Sequence, residues 1–407
     1  MALRSAAATV RADSVAVNGT SAGDSIQVLG AGTSVSVTGL PALVSITNAE
    51  GANDALIVNG FDGDDTINAA ALPAAVAKLT IDGGLGNDTI TGSQGADLLI
   101  GGDGDDLVTG GRGDDVALLG AGNDRFVWNP GDGSDTVEGQ DGADTLDFRG
   151  ANIAEQIDIS ANGARVRFAR DVAAITMDAN DVETIEFHAL GGADKITVGD
   201  LSGTDVTKVA IDLAGTLGGA AGDGQADTVL TNGTNGDDTV TLSFQNGARV
   251  VDGLAAQVVI DHFESGDTLR IATLGGNDVI DASARGPGGP DLVVDGGAGS
   301  DTVSYAAASR AMLINLTGQV TTDGIVTDTL SSIENAVGSA FGDIIVSSDA
   351  ANRIDGRGGS DTVSYDLSAR GQLINLAGGA ATDGIFTSPT RCCRSKTRSA
   401  RPSTTSS

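Results

Sequence analysis

A nine-residue repeat between Gly83 and Asp147 constrains the fold of this chain more than any other feature of its sequence. In register the run reads GGLGNDTIT, GSQGADLLI, GGDGDDLVT, GGRGDDVAL and LGAGNDRFV, and then, after Trp128 and Asn129, PGDGSDTVE and GQDGADTLD. Every copy has glycine at its fourth position, aspartate at its sixth and an apolar residue at its eighth. Six glycine-rich residues form a turn and the last three form a short strand with one inward side chain, so the repeat predicts a solenoid.

The run resembles the calcium-binding nonapeptide of the repeats-in-toxin (RTX) family, which is written G-G-x-G-x-D-x-U-x. The resemblance covers these 65 residues tightly. It implies an all-β fold, a right-handed parallel β-roll or β-solenoid, in which two nonapeptides form one coil and calcium ions lie between turns one coil apart. The sequence on either side predicts β-helix-like flanking regions.

The residue types also favour calcium on chemical grounds. Calcium takes six to eight oxygen ligands and accepts carboxylates mixed with backbone carbonyls. Glycine lacks a Cβ and reaches positive φ, so its backbone can close around an ion. Aspartates stacked about 4.8 Å apart, as in a sheet, would otherwise repel by about 1 to 3.5 kcal/mol per pair. A metal-free turn of common turn formers is therefore the weaker interpretation.

The predicted metal ligands are the sixth-position carboxylates and the carbonyl groups of several glycines. The aspartates are expected to pair across one coil in five pairs, of which the last two span the Trp128-Asn129 insertion: Asp88 with Asp106, Asp97 with Asp115, Asp106 with Asp124, Asp115 with Asp135, and Asp124 with Asp144. The predicted ligands are Asp88, Asp97, Asp106, Asp115, Asp124, Asp135, Asp144, Gly84, Gly86, Gly95, Gly102, Gly104, Gly111, Gly113, Gly120, Gly122, Gly133 and Gly142.

Short alternating runs separated by Gly, Asn and Asp predict β-strands on both sides of the repeat. Short sequence motifs recur 213 or 214 residues later in the chain, as DGGLGNDTI at Asp82 does in the form DGGAGSDTV at Asp295. We therefore expect an internal duplication. The predicted segments are 1–82 (N-terminal β region), 83–147 (nonapeptide roll), 148–228 (middle β region), 229–295 (duplicate of the N-terminal region), 296–387 (sixty-residue repeats with degenerate nonapeptides) and 388–407 (aberrant tail).

Single turns of the same type occur outside the run. The turns at Asp194 and Asp278 are expected to be structural, because one turn supplies only half of a calcium site. In the last segment GSDTVSY at Gly299 recurs at Gly359, which predicts weak calcium sites at Asp301 and Asp361.

The charge of the chain indicates its partners. The net charge is −32, and the last twenty residues contain five bases and no acid, so the remainder carries −37. Such a body favours divalent cations and disfavours nucleic acid and anionic lipid. No run has the length and apolarity of a Sec signal peptide or of a membrane span. The RTX resemblance implies secretion from bacteria, or a cell-surface location, through ABC-type (type I) export machinery that reads a C-terminal signal.

The tail from Thr390 to Ser407 departs abruptly from this composition and contains both cysteines, Cys392 and Cys393. Restoring one nucleotide before the codon for Thr390 permits codons for DTLLSIENAVGSAFDDII, which differs at two of eighteen positions from the sequence between Asp328 and Ile345. We therefore predict a frameshift that leaves the tail disordered and without function and impairs export. Resequencing the gene tests this, and codons that cannot be re-read as the repeat would contradict it.

The leading hypothesis for function is a secreted calcium-binding repeat protein without a catalytic site. The G-x-S-x-G match at 19–23 lacks the following helix that a serine hydrolase needs. The two histidines, His188 and His262, lie in unrelated sequence contexts without a second partner, so each is expected to be a surface or strand residue. The alternatives are an adhesin or surface-layer component, and a polysaccharide-modifying enzyme with its active site on a β-helix face. The sequence shows no cluster of Asp, His, Lys or Tyr on one face that would favour the enzyme.

Overall fold

The computed structural model describes residues 12–286 and 291–365, and the backbone of 373–375, 380–382 and 384–386. These residues form short β-strands joined by turns, with one 3₁₀-helix at Val172–Ala174 and no α-helix. In this part of the chain no helix has the length and apolarity to cross a membrane. The predicted all-β, parallel β-roll fold is confirmed. The tail from Thr390 to Ser407 lies outside the described residues.

Fourteen strands lie between residues 12 and 150. They are β1 (Ser14–Asn18), β2 (Ser25–Ala31), β3 (Ser34–Thr38), β4 (Val44–Thr47), β5 (Ala55–Asp62), β6 (Thr66–Ala71), β7 (Lys78–Leu85), β8 (Thr89–Thr91), β9 (Asp97–Asp103), β10 (Leu107–Thr109), β11 (Val116–Gly122), β12 (Arg125–Trp128), β13 (Thr136–Gly142) and β14 (Thr145–Arg149).

The later strands continue the same pattern. They are β15 (Gln156–Asn162), β16 (Arg165–Arg170), β17 (Ile175–Asn180), β18 (Thr184–His188), β19 (Lys195–Val198), β20 (Lys208–Asp212), β21 (Thr228–Asn232), β22 (Thr239–Gln245), β23 (Ala248–Asp252), β24 (Gln257–Asp261), β25 (Thr268–Ala272), β26 (Gly275–Gly276), β27 (Val279–Asp281), β28 (Asp291–Asp295), β29 (Ala298–Gly299), β30 (Thr302–Ser304), β31 (Leu313–Asn315), β32 (Val320–Thr322), β33 (Thr327–Ser331), β34 (Asn335–Val337), β35 (Ile344–Val346), β36 (Asn352–Asp355), β37 (Thr362–Ser364), β38 (Leu373–Asn375), β39 (Ala380–Thr382) and β40 (Gly384–Phe386).

Contacts within the chain define two units. One comprises Met1–Gly233 with Phe244–Ile271, and the other comprises Thr234–Ser243 with Ala272–Ser407. The division of the sequence into six segments stays a prediction.

In the nonapeptide run each coil contains two repeats. Strands eighteen residues apart pair in parallel, as Val108 does with Ile90 and with Phe126. The alternate repeats supply β9, β11 and β13 to the opposite sheet, where Ala117 pairs with Leu99 and with Val137. The eighth-position side chains fill the space between the two sheets, and all of them are buried: Ile90, Leu99, Val108, Ala117, Phe126, Val137 and Leu146.

Outside the run the coils are longer because hairpins are inserted into them. Strands β2, β3 and β4 are antiparallel neighbours, while β2 also pairs in parallel with β6 of the next coil. Strands β15, β16 and β17 form a second antiparallel insertion, and β15 pairs in parallel with β19. The parallel stacking therefore continues through regions where the nine-residue period is lost.

The invariant fourth-position glycine has a steric cause. Gly104 has φ +135°, and a Cβ on it would overlap the carbonyl oxygen of Gly86 one coil earlier. Gly122 stands in the same relation to Gly104. Only a residue without a side chain lets successive turns approach this closely.

The largest side chains of the first unit are concentrated in a few adjacent coils. Trp128 stacks on Phe148 with ring centroids 4.0 Å apart, and Phe148 stacks on Phe168 at 4.2 Å. Phe187 lies 5.8 Å from Phe168, and all four rings are buried. This aromatic stack gives the coils around Trp128 a core of large rings in place of the Val, Ile, Leu and Ala side chains of the nonapeptide coils.

Candidate calcium sites

The sixth-position aspartates form two rows of buried carboxylates along the edges of the roll. In the first carboxylate ladder, the backbone N–H of Asp88 donates to Oδ1 of Asp106 at 2.7 Å, and Asp106 donates in the same way to Asp124 at 2.8 Å. Asp124 donates to Asp144 at 2.9 Å across the Trp128-Asn129 insertion. Each carboxylate therefore joins its turn to the turn one coil before it.

The second carboxylate ladder runs along the opposite edge. The N–H of Asp97 donates to Asp115 at 2.8 Å, and the N–H of Asp115 donates to Asp135 at 2.9 Å. The structure thus contains all five aspartate pairs that the sequence predicts.

The other carboxylate oxygen of most of these aspartates is buried and has no hydrogen-bond partner among the described residues. The aspartates concerned in the two ladders are Asp88, Asp106, Asp115, Asp124, Asp135 and Asp144. An unpaired buried carboxylate oxygen is costly, and native proteins satisfy nearly all such atoms. An orphaned Oδ2 in so many turns therefore indicates a partner that the described part of the chain does not supply.

The space beside these oxygens suits a small cation. A methyl group placed on Gly83 would meet Oδ2 of Asp88 and would lie 2.6 Å from the carbonyl oxygen of Gly101. The same position at Gly101 faces Oδ2 of Asp106 and the carbonyl oxygen of Leu119. Carboxylate and carbonyl oxygens converging on a glycine-walled space are the donors that calcium prefers. The carbonyls of the first repeat position were not among the predicted ligands.

The predicted glycine ligands lie along the same turns. The second-position glycines Gly84, Gly102 and Gly120 have positive φ and pair with one another along the sheet edge, and Gly111 has φ +88° on the other edge. The fourth-position glycines stack one coil apart in two columns: Gly86, Gly104, Gly122 and Gly142 in the first, and Gly95, Gly113 and Gly133 in the second. Which of these carbonyls bind calcium stays a prediction.

Burial and mutual repulsion perturb these carboxyl groups in the absence of a cation. Desolvation, followed by the charges of Asp124 and Asp88, raises the pKa of Asp106 to about 7. Desolvation and the charge of Asp135 raise the pKa of Asp115 to about 8. Ionised carboxylates in these turns are therefore electrostatically unfavourable at neutral pH when no cation is bound.

Asp97 differs from the other aspartates of the roll. Its turn has Ser93 at the second position, where most copies have glycine. The Ser93 N–H donates to Oδ2 of Asp97 at 2.5 Å, and the Ser93 hydroxyl donates to Oδ1 at 2.8 Å. Both oxygens of this predicted ligand are therefore satisfied within the turn.

This arrangement, in which a serine or threonine at the second position donates to both oxygens of the sixth-position aspartate, is called here a serine or threonine closure, and it recurs in the second unit. Thr234 donates its N–H and its hydroxyl to the two oxygens of Asp238, and Ser339 does so to Asp343. The second repeat position thus distinguishes self-satisfied turns from turns with an orphaned oxygen.

The first ladder extends beyond the predicted run, to Asp65. The N–H of Asp65 donates to Oδ1 of Asp88 at 2.8 Å, and Oδ2 of Asp65 is orphaned within the described structure. Sequence reasoning missed this residue, although the segment from Gly60 reads GFDGDDTIN, a nonapeptide with phenylalanine at its second position. Phe61 takes the φ of +83° that glycine takes elsewhere.

Further ladders form from segments without contiguous nonapeptides. In the first unit Glu155 donates its N–H to Asp194 at 2.7 Å, Asp194 to Asp227 at 2.8 Å and Asp227 to Asp267 at 3.0 Å. The sequence missed this stacking because the spacings are 33 to 40 residues instead of eighteen.

The second unit contains two more ladders. Asp238 donates its N–H to Asp278 and Asp278 to Asp301, at 2.8 and 2.9 Å, and Asp343 donates to Asp361 at 3.0 Å. Among the described residues Oδ2 is orphaned in Asp194, Asp278, Asp301 and Asp361. Asp194 and Asp278 are therefore stacked rather than isolated, and their metal-free role stays a prediction.

The structure brings the two histidines to one carboxylate, although their sequence contexts are unrelated; His188 is the last residue of β18, as the strand expectation allows. Nδ1 of His188 lies 3.3 Å from Oδ2 of Asp212, and Nδ1 of His262 lies 2.6 Å from Oδ1 of the same carboxylate. The parallel pairing of β18, β20 and β24 brings together residues that are 74 positions apart in the sequence.

Buried carboxylates with an orphaned oxygen between the turns of a parallel β-roll are the features of a cation-binding repeat protein. The model of the RTX calcium-binding nonapeptide repeat matches residues 82–117, 91–126, 131–152 and 337–367. The chain therefore contains RTX calcium-binding nonapeptide repeats, and the resemblance drawn from the sequence is confirmed. Asp65 lies outside these four segments. No curated protein matches the chain.

These carboxyl groups predict how the ion-free roll responds to pH. The pKa of Asp106 is raised to about 7 and that of Asp115 to about 8, so the folded roll binds more protons than the unfolded chain between about pH 4 and 8. The stability of the ion-free roll is therefore expected to fall as the pH rises through this range. Circular dichroism of metal-stripped protein at pH 5 and pH 8 measures the fraction of β structure that remains without ions, and more β structure at pH 8 than at pH 5 would contradict the prediction.

Proposed function

We propose that this protein is a secreted, non-catalytic calcium-binding repeat protein whose roll folds when calcium binds between its turns. The observation that carries the proposal is the row of buried carboxylates with one orphaned oxygen each along the roll. The residues that would hold calcium are the glycine-turn aspartates, led by Asp88, Asp106, Asp115 and Asp144, with backbone carbonyls of the adjacent turn. Bound calcium would supply positive charge and close coordination between coils.

A buried ion pair at the end of one ladder supports this role for a cation. Glu155 is stacked on Asp194, and the guanidinium of Arg170 binds the Glu155 carboxylate; both side chains are almost fully buried. Where an arginine is available, the chain thus satisfies a ladder carboxylate with positive charge. The roll between Gly83 and Asp147 contains only Arg112 and Arg125 as bases, so an external cation is the remaining source.

Secretion is proposed from the charge of the body and from the RTX resemblance. Calcium is abundant outside cells, where weak sites fill. A body of charge −37 with many glycines to order would stay unfolded until it meets that calcium. We therefore assign transport to type I export machinery and the folded state to the cell exterior or surface.

Calcium removal is expected to unfold the roll. Circular dichroism of the full chain in EGTA should show a largely unstructured segment between Gly83 and Asp147, and millimolar calcium should restore the β signal, because binding and folding are coupled. Magnesium at the same concentration is the control, since it demands a smaller octahedral site. A β signal that is unchanged by EGTA would contradict the proposal.

The second repeat position is expected to decide which turns bind calcium. Asp106→Asn keeps an acceptor for the Asp88 N–H but removes the charge, so it should lower the number of calcium ions bound per chain. Asp97→Asn is the matched control, because Ser93 already satisfies Asp97, and it should leave that number unchanged. Calorimetric titration of both variants measures the difference, and equal losses would show that the serine closure does not replace calcium.

A further inference from the structure

A second group of possible metal ligands lies on a strand face, away from the turns. Asp147, Glu186 and His188 project outward from the neighbouring strands β14 and β18, and Asp212 and His262 lie beside them on and after β20 and β24. One oxygen from each of Asp147 and Glu186 and one ring nitrogen of His188 lie within 4.8 Å of one another. None of these residues belongs to a carboxylate ladder.

The hydrogen bonds around Asp212 define the state of His188. A carboxylate only accepts hydrogen bonds, so the contact of 3.3 Å with Asp212 places the proton of neutral His188 on Nδ1. Its Nε2 then presents a lone pair. His262 holds the other oxygen of Asp212 at 2.6 Å and so fixes the orientation of that carboxylate.

The lone pair of His188 faces an orphaned oxygen. Nε2 lies 3.4 Å from Oδ1 of Asp147, a side chain that is 5% exposed. This oxygen has no hydrogen-bond partner in the described part of the chain, whereas Oδ2 of Asp147 lies 3.1 Å from Arg125 and 3.1 Å from Arg149. Two electron-pair donors thus converge at a buried point, an arrangement that requires a proton or a metal ion between them.

The separation of Nε2 and Oδ1 matches the spacing of two metal ligands. A charge-assisted N–H···O bond is about 2.7–2.9 Å long, which is shorter than the separation of Nε2 and Oδ1. Two ligands at about 2.0–2.1 Å from a tetrahedral ion are about 3.3–3.4 Å apart. The observed 3.4 Å therefore equals the spacing of two ligands of one metal ion, and the zinc titration below distinguishes that ion from a proton on Nε2.

The donor set also selects the kind of metal. Imidazole with carboxylates suits zinc and other first-row divalent transition metals, whereas calcium prefers oxygen ligands alone. A carboxylate on the far nitrogen of a ligating histidine is the usual second partner in zinc sites, and Asp212 takes that position. The buried rings of Phe148 and Phe187 lie beneath this face and hold the two strands in place.

We propose that Asp147, Glu186 and His188 bind a first-row divalent transition-metal ion of the zinc type, and that Asp212 positions His188 for it. Arg125 binds Oδ2 of Asp147 and Oε2 of Glu186, and Arg149 binds Oδ2 of Asp147, which leaves Oδ1 of Asp147 for the metal. The site is separate in chemistry from the calcium turns, since one of its ligands is a nitrogen.

Zinc titration of the full chain in saturating calcium tests the proposal. All forms carry Cys392→Ser and Cys393→Ser and no affinity tag, because cysteine thiolates and added histidines also bind zinc. The expected result is one zinc per chain by calorimetry, lost in His188→Ala. Asp212→Asn should weaken binding by about 10- to 100-fold, as loss of a second partner does.

His262→Ala is the matched control, because it removes the other histidine of the chain but no proposed ligand. It should weaken zinc binding far less than His188→Ala does. Equal effects of the two histidine variants, or no zinc bound by the parent chain, would overturn the proposal.

A spectroscopic test does not depend on the folding of variants. Co²⁺ added to the calcium-loaded parent chain should give the intense visible absorption of a four-coordinate site, and zinc should displace it. A weak six-coordinate spectrum that zinc leaves unchanged would also overturn the proposal.

Discussion

The stacking of these coils depends on a buried aspartate whose two oxygens have different roles. Oδ1 accepts the backbone N–H of the equivalent residue one coil earlier, so every rung of a ladder holds two turns together. The same side chain brings a negative charge into a desolvated position close to the next charge. The contact that aligns the coils therefore creates the repulsion that a positive or hydrogen-bonding partner must offset.

The surroundings of the second carboxylate oxygen differ from turn to turn. Glycine turns leave it orphaned and suited to a cation, as at Asp106. Turns with serine or threonine at the second position supply an N–H and a hydroxyl, as Ser93 does for Asp97. Glu155 instead receives the guanidinium of Arg170, which also lies 5.3 Å from the Trp128 ring. These local choices decide where the fold needs an external ion.

The duplication that the sequence predicts has a counterpart in the geometry of the ladders. Asp24, Asp65 and Asp88 are linked at spacings of 41 and 23 residues in the first unit. Asp238, Asp278 and Asp301 are linked at 40 and 23 residues in the second. Each copy thus reaches its glycine-rich turns through coils of matching length. Thr20 and Thr234 also occupy the same position beside Asp24 and Asp238.

The sequence by itself determined the fold class, the roll and its aspartate pairs, because these depend on contacts between residues at one short spacing, eighteen residues, or twenty across the two-residue insertion. Val108 and Asp106 are placed correctly by counting eighteen residues in either direction. The tertiary structure decided what lies where that spacing fails. Hairpin insertions bring Asp194 onto Glu155, and parallel pairing brings His188 and His262 onto Asp212. These contacts depend on the lengths of whole coils, which no local pattern in the sequence encodes.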